Sequence, residues 1–337
     1  MSDRGGDRSG RRRARRALWG ALILLCAGVL MAGGTGWWAV EHYTGRVNRV
    51  PHAFPTDVPP GQRPAPNKGG QNFLLVGVDS RSQLPTTGTD AKAPPWKPGA
   101  QRSDTMMLVH LPSKGSTAYV VSLPRDTWTT VPGRGEAKLN AAFSWGGPPL
   151  LIDSVQRLTK VRVDHLAVID WSGFRKLTDA VGGVDLSVGG APARHMNGDQ
   201  ALAYVRERHD LPRGDLDRTH RQQNYLRAVL SKVLSGDNAS HPLRTKHLLD
   251  RLTESVSVDD RLSDDGLRDL LWDARSLRAS RMTFLNAPVA RTDMIRGQSV
   301  VLLDGREASA LWKALREGTM DDYVTEHSVD RLRPVVQ

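Results

Sequence analysis

Apolar positions settle into regular periods from Asn72 onward. "NFLLVGVD" is a short apolar run closed by polar residues, the mark of a buried strand. "TMMLVHL" and "AYVVSL" predict two more strands, split by the turn-like "PSKGST". Leu150 to Leu158 carries the period of an amphipathic helix. "HLAVID" follows as a strand, "WSGFRKLTDAVGG" as a helix closed by glycine, and "VDLSV" as a strand. "AYVRER" alternates, which predicts a strand with Tyr204, Arg206 and Arg208 on one face. A helix from Asp217 to Ser235 comes next, with further helices at Leu243 to Glu254 and Asp264 to Leu277. The chain ends strand, strand, helix in "RMTFLNAPV", "SVVLL" and "ASALWKALREG". Alternating strands and helices with no internal repeat predict a mixed α/β domain.

Upstream of Asn72 the pattern differs. Residues 17–40, "ALWGALILLCAGVLMAGGTGWWAV", hold no charge and are long enough to cross ~30 Å of hydrocarbon as a helix. The basic tail 1–16 precedes them, so the positive-inside bias keeps the N-terminus cytoplasmic, and Trp37 and Trp38 suit an interfacial belt. The length of the run favours a retained single-pass anchor over a cleaved signal peptide. Everything after it is then extracytoplasmic. Residues 41–70 are rich in Pro and Gly and read as an extended tether. The expected catalytic domain spans 71–236, with 237–337 as an α/β extension that packs on or completes it.

Charge enters through one stretch. "YVRERHDLPRGDLDRTHRQQ", residues 204–223, holds five arginines with Asp210, Asp215 and Asp217 among them. Advancing 100° per residue along the predicted helix, Leu226, Val229, Leu230 and Val233 form an apolar stripe. Gln222 lies inside that stripe and Arg218 near its edge, so an amide and a guanidinium face inward where packing favours leucine. Buried polar groups need partners, and a helix start attracts anions. The stretch reads as an anion site, with a salt-bridge network as the structural alternative. Arg213 and Arg221 read as solvated or structural, while Asp215 and Asp217 either cap the helix or orient Arg218. The net charge of +11 also raises nucleic acid, but much of that excess lies in the tail and an exported domain does not meet DNA. Cys26, the only cysteine, sits in the apolar run, which excludes a disulfide framework and a cysteine metal site.

Further charged residues fall at strand ends. Asp79 and Arg81 end the first strand, Arg102 and Asp104 precede the second in "RSDT", Arg125 and Asp126 follow the third in "SLPRD", and Lys138 and Asn140 open "KLNAAF". Sites gather at strand ends in open α/β sheets. Two carboxylates from different strands with several arginines suggest Mg²⁺ and phosphate, since Mg²⁺ takes one or two carboxylates and completes its six ligands with phosphate and water. Asp126 reads as a buttress for Arg125, and Lys138 reads equally as a ligand or a structural residue.

In order from Asn72 to Leu234, these motifs, with "VDHLAVIDWSGFRKLTDAVGGVDL" and "MNGDQALAYVRERH", resemble the LytR-CpsA-Psr proteins of Gram-positive cell walls. The resemblance implies a central mixed sheet flanked by helices, with a hydrophobic channel for a lipid. It implies transfer of a glycopolymer from a polyprenyl-pyrophosphate carrier to peptidoglycan, at the C6 hydroxyl of N-acetylmuramic acid, with a phosphodiester formed. Asp79 and Asp104 would hold Mg²⁺, with Mn²⁺ as a substitute. Arg102, Arg125, Arg206 and Arg208 would clamp the pyrophosphate, with Arg218 and Gln222 at its rim. The implied catalytic set is Asp79, Asp104, Arg125, Arg206 and Arg208. Arg81, Asp126, Lys138 and Asp215 support it. A phosphatase acting on polyprenyl pyrophosphate, a membrane-tethered regulator and a non-catalytic lipid binder are the rival readings. The transferred polymer stays open. The preference for Arg over Lys points to a GC-rich actinomycete.

Overall fold

The computed structural model describes residues 45–337 apart from 57, 60–61, 81–84, 95, 113–116, 190, 208–210, 234–249, 275–278, 334–335 and 337. The expected tail 1–16 and membrane span 17–40 lie outside the described residues, as do Arg81, Arg208 and most of the expected helix at Leu243 to Glu254. Among the described residues no helix is long and apolar enough to cross a membrane.

The centre is a seven-stranded mixed sheet in the order β1-β10-β7-β2-β3-β4-β11. Its middle is β7 (His165–Asp170), β2 (Gly70–Ser80), β3 (Gln101–Pro112) and β4 (Ala118–Ser122). β2 runs parallel to β7 and antiparallel to β3, which is antiparallel to β4. Both outer flanks come from the C-terminal third. β10 (Val256–Asp259) pairs antiparallel with β7, and β11 (Met282–Asn286) pairs parallel with β4. Residues 237–337 therefore supply sheet strands rather than a layer set apart from 71–236. β1 (Asn48–Val50) pairs with β10, and Ala53 and Phe54 are buried in the main core. This part of the expected 41–70 tether is thus folded onto the sheet, because Val50, Ala53 and Phe54 carry apolar surface that an open tether would leave in water.

Alternation along β2 divides the core. Leu74, Val76 and Val78 face one layer with α1 (Leu139–Thr159) and α6 (Gly305–Glu317). Phe73 faces the other, with Met107 and Val109. On that second side stand α2 (Trp171–Ala180), α3 (Gly198–Arg206) and α4 (Asp215–Val233). Small hairpins β5/β6 (Trp128–Val131, Gly135–Lys138), β8/β9 (Val184–Leu186, Arg194–Met196) and β12/β13 (Val289–Ile295, Gln298–Leu303) decorate this frame. Helix α5 (Asp264–Ala274) and the short α7 (Met320–Glu326) complete the described elements.

Two further expectations are corrected. "AYVRER" belongs to helix α3, not to a strand. A capping box drives it: the Asn197 side chain accepts from Gln200 N, and the Gln200 side chain accepts from Asn197 N. Tyr204 and Val205 are consequently buried together while Arg206 is exposed, which a two-residue period forbids. The helix expected from Leu150 starts at Leu139 and breaks at Gly147, whose φ of 65° and ψ of −156° are non-helical. The described part of the loop 82–101 is tied to the sheet. Thr86 and Thr87 are buried, Thr86 N and Oγ1 donate to Asp170 Oδ2 (2.5 and 2.9 Å), and Thr87 Oγ1 donates to the Ser255 carbonyl (2.8 Å).

Gly88 is the tightest point of this loop. Its φ is +72°, and a Cβ would come within 2.0 Å of the Glu254 carbonyl oxygen. Gly88→Ala should cost about 2–4 kcal/mol, read as a lowered calorimetric midpoint. Acid should also loosen the fold. Burial lowers the pKa of His110, whose Nδ1 donates to Asn72 Oδ1 at 2.8 Å, and burial likewise lowers that of His220. A depressed histidine contributes stability above its unfolded pKa near 6.5, lost as pH falls toward the folded value. The melting temperature should decline below about pH 6.5, less steeply in His110→Gln. An equal slope in both proteins would remove His110 as a cause.

Candidate functional site

The site grows from the β2–β3 ladder. Register runs Gly77↔Thr105 and then Val78↔Ser103, so Asp104 is an extra residue, a bulge without a partner on β2. A bulge re-aims a side chain. Here it turns Asp104 away from the apolar alternation, while Asp79 sits opposite Arg102 two residues further. The turn after β4 brings Arg125 and Asp126. It is tied to the start of α1: Leu139 N donates to the Thr127 carbonyl (2.8 Å) and Asn140 N to the Arg125 carbonyl (3.0 Å). Two amides left open at a helix start are satisfied this way, and Lys138 and Asn140 arrive beside Arg125.

The result is a polar pocket of about 550 Å³. Asp79, Arg102, Asp104, Arg125, Asp126 and Lys138 line it, with Asn140, Ser144, Trp145 and Gln298. Arg125 is the hub. Its Nη1 donates to Asp104 Oδ1 at 2.6 Å, its Nη2 lies 3.9 Å from Asp215 Oδ1, and its Nε lies 3.6 Å from Asp126 Oδ2. Burial pulls the Arg125 pKa down, but Asp104, Asp215 and Asp126 outweigh it and hold it above the ordinary value. Lys138 Nζ pairs with Asp126 Oδ1 at 3.2 Å. Arg125 Nε and Asp215 Oδ2 are buried without a hydrogen-bond partner among the described residues. Such atoms are rare in a finished interior.

The remaining expected residues stand at one remove. Arg218 is buried and bonds Asp215 at 2.7 Å, forming the series Arg218, Asp215, Arg125, Asp104. Arg206 reaches the site through an aromatic ring: its guanidinium lies over Trp171 at 5.4 Å, and Trp171 Nε1 donates to Asp79 Oδ1 at 2.9 Å. Asp217 orients Arg213 rather than Arg218, accepting from its Nε at 2.8 Å. Of the two readings for Arg221 the structural one holds: it is buried, with its guanidinium 5.1 Å over Tyr204 of α3. Trp171, Trp145 and Gln298 were missed. For Trp171 the signal was its position where β7 passes into α2, directly after the N-cap Asp170.

Gln222 does not stand at the rim of the polar pocket. It lines an apolar cavity of about 180 Å³ with Leu75, Gly77, Met107, Ile169, Phe174 and Tyr225. Near neighbours along each strand separate the two spaces: on β3 the consecutive Thr105 and Asp104 line the cavity and the pocket, and on β2 Gly77 lines the cavity and Asp79, two residues on, the pocket. A molecule with an apolar tail and a polyanionic head suits both at once.

Among the described residues no group of three or more His, Cys, Asp or Glu could hold a metal alone. Asp79 and Asp104 fit a different requirement. Each has Oδ1 engaged and Oδ2 without a hydrogen bond among the described residues. Two such oxygens in a phosphate-sized pocket match a cation that takes its other ligands from phosphate and water.

A model of the LytR_cpsA_psr family matches residues 46–317 of the chain. The cell wall biosynthesis protein LcpA of Corynebacterium glutamicum is 33% identical over 289 residues, covering 73% of this chain. That match spans 55% of LcpA's own length, little more than half. The polyisoprenyl-teichoic acid–peptidoglycan teichoic acid transferase TagU of Enterococcus faecalis is 30% identical over 224 residues, 62% of this chain and 67% of TagU. Among solved structures, the LytR-Csp2A-Psr enzyme from Actinomyces oris is similar in fold, with a TM-score of 0.60 at 20% identity over 82% of this chain and 97% of that one.

If the pocket receives a polyanion, inorganic pyrophosphate titrated by calorimetry with Mg²⁺ should bind. Arg125→Ala should weaken it about 10- to 100-fold, the worth of a charge-assisted hydrogen bond. Arg227→Ala, which changes a guanidinium bonded to Asn224 outside the pocket, should leave the affinity unchanged.

Proposed function

Because this chain belongs to the LytR-CpsA-Psr family, we propose that it moves a glycopolymer from a polyprenyl-pyrophosphate carrier to the C6 hydroxyl of N-acetylmuramic acid in peptidoglycan. The observation that carries this reading is the closeness of an apolar cavity and an Arg- and Asp-lined pocket, lined by residues one or two steps apart on β2 and β3. TagU's name, a transferase between polyisoprenyl-linked teichoic acid and peptidoglycan, supports it. The isoprenoid enters the cavity among Leu75, Phe174 and Tyr225, and the pyrophosphate meets Arg102 and Arg125. Arg206 approaches from the α3 side, stacked on Trp171, and Arg218 and Asp215 hold Arg125 in its orientation. Residues 17–40 anchor the chain in the cytoplasmic membrane, with the catalytic domain outside.

The acceptor oxygen attacks the phosphorus that bears the glycan. The bridging P–O bond breaks, polyprenyl phosphate leaves, and the hydroxyl proton passes to a carboxylate of the Asp79/Asp104 pair. Phosphoryl transfer depends on positioning and on neutralising charge. Arg125, fixed by three carboxylates, needs little rearrangement to do so. Asp79 and Asp104 would hold Mg²⁺, or Mn²⁺ in its stead, which when bound spreads the pyrophosphate's negative charge. Trp171 fixes the Asp79 side chain for that purpose through its Nε1.

Full-length protein in detergent, given a polyprenyl-pyrophosphate glycan, peptidoglycan oligomers and Mg²⁺, should yield oligomers carrying covalent glycan. Asp104→Ala and Arg206→Ala should each lower the rate about 10²–10³-fold, and chelation should abolish it. Free phosphate without glycan transfer would make the protein a phosphatase, and lipid binding with neither product would make it a carrier.

A further inference from the structure

One wall of the polar pocket is built for something other than phosphate. Trp145 is 41% exposed, one of two large exposed hydrophobic side chains among the described residues, and it is the one aromatic side chain lining a mainly charged and polar pocket. Its setting is fixed. Two residues on, Gly147 breaks α1, and a Cβ there would come within 2.6 Å of the Trp96 ring. Gly99 N donates to the Ser144 carbonyl at 3.0 Å, holding the neighbouring backbone.

The C-terminal hairpin contributes to the same pocket. Ile295 pairs with Gln298 across a two-residue turn of Arg296 and Gly297, both at positive φ (51° and 73°). That is the geometry whose twist suits a tight hairpin. The hairpin is docked onto the site's own backbone: Val301 N donates to the Asp126 carbonyl at 2.9 Å, and Arg296 lies 5.8 Å over Trp128. Gln298 thereby lines the pocket with Trp145 and Asn140. An exposed indole with two primary amides offers a flat apolar face and both hydrogen-bond donors and acceptors. Those are complementary to a pyranose ring, which has apolar C–H faces and equatorial hydroxyl or acetamido groups.

We propose that Trp145, Asn140 and Gln298 form a pyranose subsite beside the phosphate pocket, with the β12/β13 hairpin contributing the residue that discriminates between sugars. The proposal rests on the reading of the pocket as a polyprenyl-pyrophosphate site. A ring bonded directly to the bound phosphate and a ring of the peptidoglycan acceptor share this chemistry, and the test separates them.

Full-length protein in detergent is titrated calorimetrically with three ligands: bare polyprenyl pyrophosphate, the same lipid carrying one hexose, and a muropeptide. Wild type, Trp145→Ala, Trp145→Phe and Gln298→Ala are compared, with melting temperature as the control for folding. Trp145→Ala should weaken the hexose-bearing lipid about tenfold relative to the bare lipid, and Trp145→Phe should restore much of it. Gln298→Ala should change the ranking of glucose-, galactose- and N-acetylglucosamine-bearing lipids. Loss confined to the muropeptide would assign the subsite to the acceptor. Equal loss for bare and hexose-bearing lipid, or no loss for any ligand, would overturn the subsite. Failure of wild type to bind the bare lipid would instead overturn the reading of the pocket, and the subsite with it.

Discussion

A guanidinium taken out of water must meet a carboxylate, or it loses more in hydration than packing returns. Arg125 meets Asp104 at 2.6 Å, with Asp126 and Asp215 on its other sides. Four separate parts of the chain are joined there: the bulge in β3, the turn after β4, the start of α4 and, through Lys138 and Asp126, the start of α1. The carboxylates are shared rather than in excess: Asp126 also pairs with Lys138 and Asp215 with Arg218, so charge is balanced across the cluster.

The sheet divides two solvents within a single residue step. Alternation in β2 and β3 lets one face fill with Leu75, Met107 and the rings of α2 and α4, while the bulge at Asp104 turns the strand end toward charge. A regular ladder without the extra residue would set Asp79 opposite Ser103 instead of Arg102. The opposition of Asp79 and Arg102 therefore follows from one inserted residue.

Much of this was legible in the sequence, and the failures have physical causes. Strands with apolar runs, such as "NFLLVGVD" and "HLAVID", carry their own signal and appear where expected. The polar residues at their ends were visible because charge stands out beside an apolar run. "AYVRER" misled because alternation over six residues fits a strand as well as a short amphipathic helix. The decisive information lay upstream, in the capping pair Asn197 and Gln200. Gln222 was placed on the correct inward face of its helix but assigned to the wrong space, since periodicity gives a direction and not what lies there. Gln298 and Trp145 were out of reach: they meet only because a hairpin some 150 residues away packs on the Asp126 backbone.

The order of strands across the sheet bears on how the chain can acquire it. β4 finds its outer neighbour only in β11, and β1, the first strand made, lies against β10, more than 200 residues later. Pairings so distant are closed late, because the intervening loop entropy is spent before the contacts reward it. As the chain is synthesised from its N-terminus, the four-stranded middle can assemble early, but both of its edges stay open until residues 256–286 have emerged. During that interval the growing polypeptide presents bare strand edges, the feature that invites misassociation. A chain of this topology thus completes its sheet only once its last third has arrived.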